Sequence, residues 1–323
     1  MRATSNLAIW AAFLANVGIA AAKFFAAALT GSAAMLSEAL HSTVDSTNEL
    51  FLLYGEHRSK RPPDEAHPFG HGHALYFWTL IVAINVFGIG GGLSLWEGSR
   101  KILFGETLTS ATWAYAVLGL AFVFEGSSLW IGVRQLRRTA RGRSPWRQLR
   151  ETKQPKVLAV VLEDSAALAG LVVAFCGVFF SHLLRLAWID GLASVVIGLL
   201  LGGVAFLLGR EAKGLLLGEG AESEVVEHIR RIAEAEHNLA EVRRALTLQL
   251  GPGDVLLNMD VRFAPGLNAQ QVAQTVARLK RALREAAPEL REIFIEGQVL
   301  PVEVPASPPA QPADADAPRE APH

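Results

Sequence analysis

Six stretches of the chain stay apolar for about the length that a helix needs to cross a bilayer. They cover roughly 7–28, 33–54, 76–99, 111–134, 157–182 and 187–208, and about 20 mostly apolar residues are enough to span the hydrocarbon core. Lipid requires backbone polar groups to be satisfied internally, and helices do this. The pattern therefore predicts an α-helical membrane protein with six transmembrane helices. After Leu208 the pattern becomes that of a soluble domain. A helical period over about 221–237 is followed by two β-like runs, Val242–Leu250 and Val255–Phe263, with Gly251-Pro252-Gly253 between them. A second helix is expected to start at Asn268, whose side chain can cap it, with Gln271 at the capping-box position. A last strand is expected from about Glu292 to Val299. The order αββαβ predicts a small two-layer cytoplasmic domain. The division is then 1–208 transmembrane domain, 209–300 αββαβ domain, and 301–323 a Pro/Ala-rich tail expected to be disordered.

The connections set the orientation. Arg58, Lys60 and Arg61 follow the second span, and nine basic residues between Arg134 and Lys156 follow the fourth. The loops on the other side carry little positive charge: Arg100 and Lys101 after the third span, Arg185 after the fifth. The positive-inside rule then places both termini in the cytoplasm. The apolar run near Leu7 has no Ala-x-Ala-like cleavage site after it and reads as a retained helix, which points to a bacterial inner membrane.

Composition agrees with a membrane protein. Of the 323 residues, 51% are hydrophobic and 19% charged, against about 25% charged in soluble domains. A net charge of −1 gives no reason to expect a nucleic-acid partner. The single cysteine, Cys176, excludes an intrachain disulfide framework and is expected to be a buried small hydrophobe.

Ionisable groups inside a membrane are costly and call for a reason. In the second span His41 and Asp45 stand four apart, on one helix face. An imidazole nitrogen and a carboxylate oxygen at this spacing suit a tetrahedral zinc site. In the fifth span Glu163 and Asp164 sit among aliphatic residues, and neighbours on a helix diverge by about 100°, so one of them can face the bundle axis. His41, Asp45 and Asp164 are the expected ligand set. Glu125 in the fourth span is a further acid, while Glu38, Glu97 and Asp190 are expected to hydrogen-bond between helices. A second cluster, Asp64, His67 and His71, lies in the loop before the third span. Pro62, Pro63 and Pro68 could stiffen that loop into a three-ligand open site. Gly88-Ile-Gly90-Gly91-Gly92 lies inside a span and is not a phosphate loop. The pairs Gly88/Gly92 and Gly198/Gly202 have the spacing of close helix packing.

These residues resemble the cation diffusion facilitator family of metal/proton antiporters. The matching stretches are Gly31-Ser-Ala-Ala-Met-Leu-Ser-Glu-Ala-Leu-His41-Ser-Thr-Val-Asp45, His67-Pro-Phe-Gly-His71-Gly, Asp164-Ser-Ala-Ala-Leu-Ala-Gly170, Asp190-Gly-Leu-Ala-Ser194 and Leu215-Leu-Leu-Gly-Glu219. The resemblance implies a transport site of two residues four apart on the second span and two four apart on the fifth. The first pair maps to His41 and Asp45, and the second pair's acid to Asp164. The position four before Asp164 holds Val160, so one protein ligand is missing. Glu163, Glu125 or a water could fill it. Glu163-Asp164 with Phe124-Glu125-Gly126 resembles the branch related to the mitochondrial zinc exporter. The resemblance also implies a homodimer formed through residues 209–300. The strands there lack the histidines of the family's binuclear metal site, and His228 and His237 are expected at the surface.

The expected function is secondary active efflux of a divalent transition-metal cation in exchange for protons. Zn2+ is the first choice, with Mn2+, Fe2+ and Co2+ left open by the weaker nitrogen ligation. The metal is substrate, with no cofactor and no enzymatic activity expected. The alternative is a membrane metal sensor or scaffold that binds metal without moving it.

Overall fold

The computed structural model describes residues 2–105, 112–139 and 155–299. The tail 301–323 and most of the arginine-rich connection lie outside the described residues. Helices α1 (Arg2–Thr30) and α2 (Ala33–Ser59) are joined by a tight corner. Next come α3 (His73–Asn85), a π-helical turn at Val86–Gly92 and α4 (Leu93–Phe104), which together form one continuous rod. The bundle is completed by α5 (Thr112–Thr139), α6 (Pro155–Leu184) and α7 (Ala187–Leu216).

Among the described residues, four helices can cross a membrane by length and composition: His73–Phe104, Thr112–Ile131, Leu158–Leu184 and Ala187–Leu216. The sequence pattern predicts six. The 27 residues of α2 span about 40 Å at 1.5 Å each, so its length suffices. It falls short on apolarity, because it carries Glu38, His41, Asp45 and Asn48. It holds these inside the bundle, packed against α1, α3, α4, α6 and α7. In α1 the apolar segment with described side chains, Asn16–Thr30, is a short one. The chain is a multi-pass membrane protein, and its most polar long helix is the one surrounded by the others.

The corner between α1 and α2 is tied from two sides. Gly31 takes φ +66°, the left-handed conformation that ends a helix without a Cβ penalty. Ser32 caps α2 by accepting from the Met35 N–H at 3.1 Å. Asp190 of α7 accepts from the Ser32 hydroxyl at 2.5 Å and from the Ala33 N–H at 2.6 Å. Lys101 of α4 donates to the Gly31 carbonyl at 2.7 Å.

Close packing of the π turn and α4 on α7 uses the expected Gly198/Gly202 pair against Gly91 and adds Gly98 against Gly191, while Gly88/Gly92 takes no part. A Cβ on Gly91 would lie 3.1 Å from the Gly198 carbonyl oxygen, and one on Gly98 would lie 2.6 Å from that of Gly191. Gly88 faces open space, whereas the Gly202 nitrogen would lie 3.4 Å from a Cβ on Gly91. The contact repeats every seven residues on both antiparallel partners, about two helical turns. Cys176 is exposed, on the outward side of α6 with Phe175 and Phe179, so its expected burial is corrected.

The C-terminal unit has the expected order. Helix α8 (Ser223–Glu234) precedes β1 (Leu239–Gly251) and β2 (Asp254–Phe263), an antiparallel pair. Helix α9 (Ala269–Ala286) then crosses over to β3 (Leu290–Val299), which pairs parallel to β2. Asn268 and Gln271 form both halves of the capping box. Ile229, Leu257, Met259, Val261, Leu279 and Leu283 fill its core. The unit meets the bundle where Gly72 touches Leu250 and Gly251 so closely that a Cβ at position 72 would overlap the Leu250 carbonyl.

Candidate metal centre

On α2, His41 Nε2 lies 3.0 Å from Asp45 Oδ2. The imidazole is 3% exposed and the carboxylate 24%, so one side chain is sealed in while the other remains reachable. From α6, Asp164 Oδ2 accepts from the Ser128 hydroxyl of α5 at 2.9 Å. Glu163 is buried and accepts from the Asn48 amide at 2.7 Å, and Asn48 in turn accepts from Asn85 of α3 at 2.9 Å. That relay of amides fixes Glu163 on the α2 side of α6. The charge of Asp45 reaches both Glu163 and Asp164.

His41, Asp45 and Asp164 therefore face one region of the bundle without converging on a single point. Among the described residues, the three-residue group whose donor atoms lie within 4.8 Å of one another is Asp64, His67 and His71. Glu125 lies near Asp164, but its Oε1 is held at 2.9 Å by the Lys23 ammonium. Val160 is 37% exposed on α6. Glu38 also bonds Lys23, Asp190 bonds across to α2, and Glu97 pairs with Arg100 on its own helix.

Sequence reasoning passed over Lys23, Asn48, Asn85 and Ser128. Lys23 had a readable signal, a lysine well inside an apolar run. The two amides and the hydroxyl have none, since their roles depend on cross-helix distances.

The loop cluster is compact. Asp64 Oδ2 lies 2.9 Å from His71 Nε2 and Oδ1 lies 3.2 Å from His67 Nδ1, with the two rings 4.2 Å apart. Paired backbone bonds between Asp64 and His67 close the turn, and Gly70 at φ +89° turns the chain towards His71. The His67 backbone N–H, followed by the His71 and His67 side chains, holds the Asp64 carboxyl below the usual carboxylate range. A lowered folded pKa gives a contribution that is present above the ordinary value and lost as pH falls through the folded one. The loop thus keeps the Asp64 carboxylate charged at and below neutral pH. Asp64→Asn is expected to lower zinc affinity at this loop at least about tenfold, as read by calorimetry. An unchanged isotherm would remove Asp64 from the site.

Comparison with known proteins places these features. Residues 9–217 match the family model of the cation efflux transmembrane domain. The human proton-coupled zinc antiporter SLC30A9, mitochondrial, is 33% identical over 243 residues, covering 75% of this chain and 43% of that protein. The chain thus spans less than half the length of that relative. Metal tolerance protein C4 of Arabidopsis thaliana is 27% identical over 283 residues, covering 87% of this chain and 61% of the relative. Magnetosome protein MamB of Magnetospira sp. (strain QH-2) is 24% identical over 303 residues, covering 92% and 95%.

Proposed function

The chain belongs to the cation efflux family, the cation diffusion facilitators, and on that premise we propose that it carries a divalent transition-metal ion, Zn2+ first, across a bilayer in exchange for protons. The observation that carries this reading is α2: a helix enclosed by its neighbours presents His41 and Asp45 one turn apart, with Asp164 across the bundle. Ionisable groups of this kind are costly in a membrane interior, and a cation to hold supplies the reason for them.

In this reading His41, Asp45 and Asp164 supply one nitrogen and two carboxylates. Glu163 completes the set better than Glu125, because Asn48 holds it towards Asp45 whereas Lys23 already neutralises Glu125. Metal binds deprotonated ligands, so entry of the ion expels protons and acid on the far side expels the ion. Alternating exposure of the site to the two sides converts a proton gradient into metal efflux. The loop of Asp64, His67 and His71 is a second place where metal binds, next to the contact between Gly72 and Gly251. The unit over 209–300 pairs two copies into a homodimer. Both termini face the cytoplasm of a bacterial inner membrane.

The test is flux of zinc, manganese, iron and cobalt into proteoliposomes under an imposed pH gradient. Proton-driven movement of one metal supports the proposal. Binding without movement for all four would make the chain a sensor or scaffold.

A further inference from the structure

Lys23 stands out as a lysine whose ammonium is completely buried within a helical bundle. Its Nζ donates to Glu38 Oε2 at 3.1 Å, to the Ser42 hydroxyl at 2.7 Å and to Glu125 Oε1 at 2.9 Å. A lysine has three donors, and here all three are used on oxygens from α2 and α5. Glu38 Oε1, also buried, has no hydrogen-bond partner. Gly170 of α6 leaves room for it, since a Cβ there would overlap that oxygen. Glu38 and Ser42 lie four apart on α2, interleaved with His41 and Asp45, so this oxygen cluster adjoins the candidate metal site.

We propose that the Lys23 ammonium is a covalently attached cation filling an oxygen site made by Glu38, Ser42 and Glu125, which shuts those carboxylates out of metal coordination and makes Lys23 a determinant of metal specificity.

The chemistry follows from the donor set. Two carboxylates and a hydroxyl around one point form a hard, oxygen-only site of the kind that suits Mn2+ or Mg2+. The oxygens now sit 2.7–3.1 Å from a nitrogen. A divalent ion in its place would draw them in to about 2.0–2.2 Å, a contraction of about 0.5–1.1 Å each. With the lysine present, an incoming metal is left with His41, Asp45 and the acids of α6, a set that includes nitrogen and favours zinc. Removing the ammonium leaves the buried Glu38 carboxylate and the part-buried Glu125 carboxylate without their shared counter-charge, an arrangement that calls for another cation.

This inference rests on the transport reading only for its consequence on specificity, and its test counts bound metal without measuring flux. Purified full-length chain in detergent is equilibrated with Mn2+, and bound metal per chain is determined for the native protein, Lys23→Met and Lys23→Met/Glu38→Gln. The expected result is about one additional Mn2+ per chain in Lys23→Met and a return to the native count in the double variant. An unchanged count in Lys23→Met overturns the inference, as does an extra ion that survives Glu38→Gln. If Lys23→Met does not fold in chelator, millimolar Mn2+ is expected to restore it and to have no such effect on the double variant. Failure of Mn2+ to restore it overturns the inference equally. Absent flux in the native protein would sink the transport reading and leave this count standing.

Discussion

Asp45→Ala is expected to reduce metal flux by about 100-fold or more while the chain still folds and inserts. Loss of a partner one step removed from a metal commonly costs 10–100-fold in affinity or activity, and loss of a ligand should cost at least as much. Asp45 is the reachable member of the α2 pair, with its side chain 24% exposed and His41 3.0 Å away. It also shares its field with Glu163 and Asp164. Its half-buried position means that truncation removes a charge without opening a hole in the apolar core. Flux in proteoliposomes, with membrane insertion followed in parallel, checks the prediction. Flux near the native level would remove the α2 pair from the transport site.

Asp190→Ala should act on the fold instead. The carboxylate is completely buried and accepts from both the Ser32 hydroxyl and the Ala33 N–H at the start of α2. Alanine would leave both donors buried and unpaired at a helix N-terminus, each costing about 1–3 kcal/mol. A loss of about 2–6 kcal/mol is expected from the two donors together. Thermal unfolding in detergent reads it, with the largest change near the α1–α2 corner. Asp190→Asn keeps one acceptor and should lose less. A melting point unchanged by either substitution would mean that the corner holds without α7.

Much of this architecture was legible in the sequence because it follows local rules. Alternation over 242–263 broken by Gly251-Pro252-Gly253 marks the β1–β2 hairpin, and Asn268 with Gln271 marks the start of α9, as the structure has them. His41 and Asp45 are a turn apart on any helix, and the proline-flanked loop brings Asp64, His67 and His71 together. Other features depend on which helices become neighbours. Lys23 gains its meaning from Glu125, 102 residues later, and Glu163 from Asn48, 115 residues earlier. The glycine contacts use the expected Gly198/Gly202 but meet them with Gly91, not Gly88/Gly92, because spacing alone does not say which side of a helix faces its neighbour. Cys176 sits in an apolar run, yet such a run does not tell which side faces the bundle. The polarity of α2 likewise has a tertiary cause, since only a helix enclosed by others can keep so many polar side chains in a membrane protein.

The central claim, that metal moves in exchange for protons, is tested most directly with a zinc gradient and no initial pH gradient. Sealed proteoliposomes would carry a pH-sensitive dye inside, with zinc added outside. The account predicts that the interior becomes alkaline in proportion to the zinc taken up, as protons leave through the ligands that zinc has occupied. Zinc entering with no change in internal pH would contradict it.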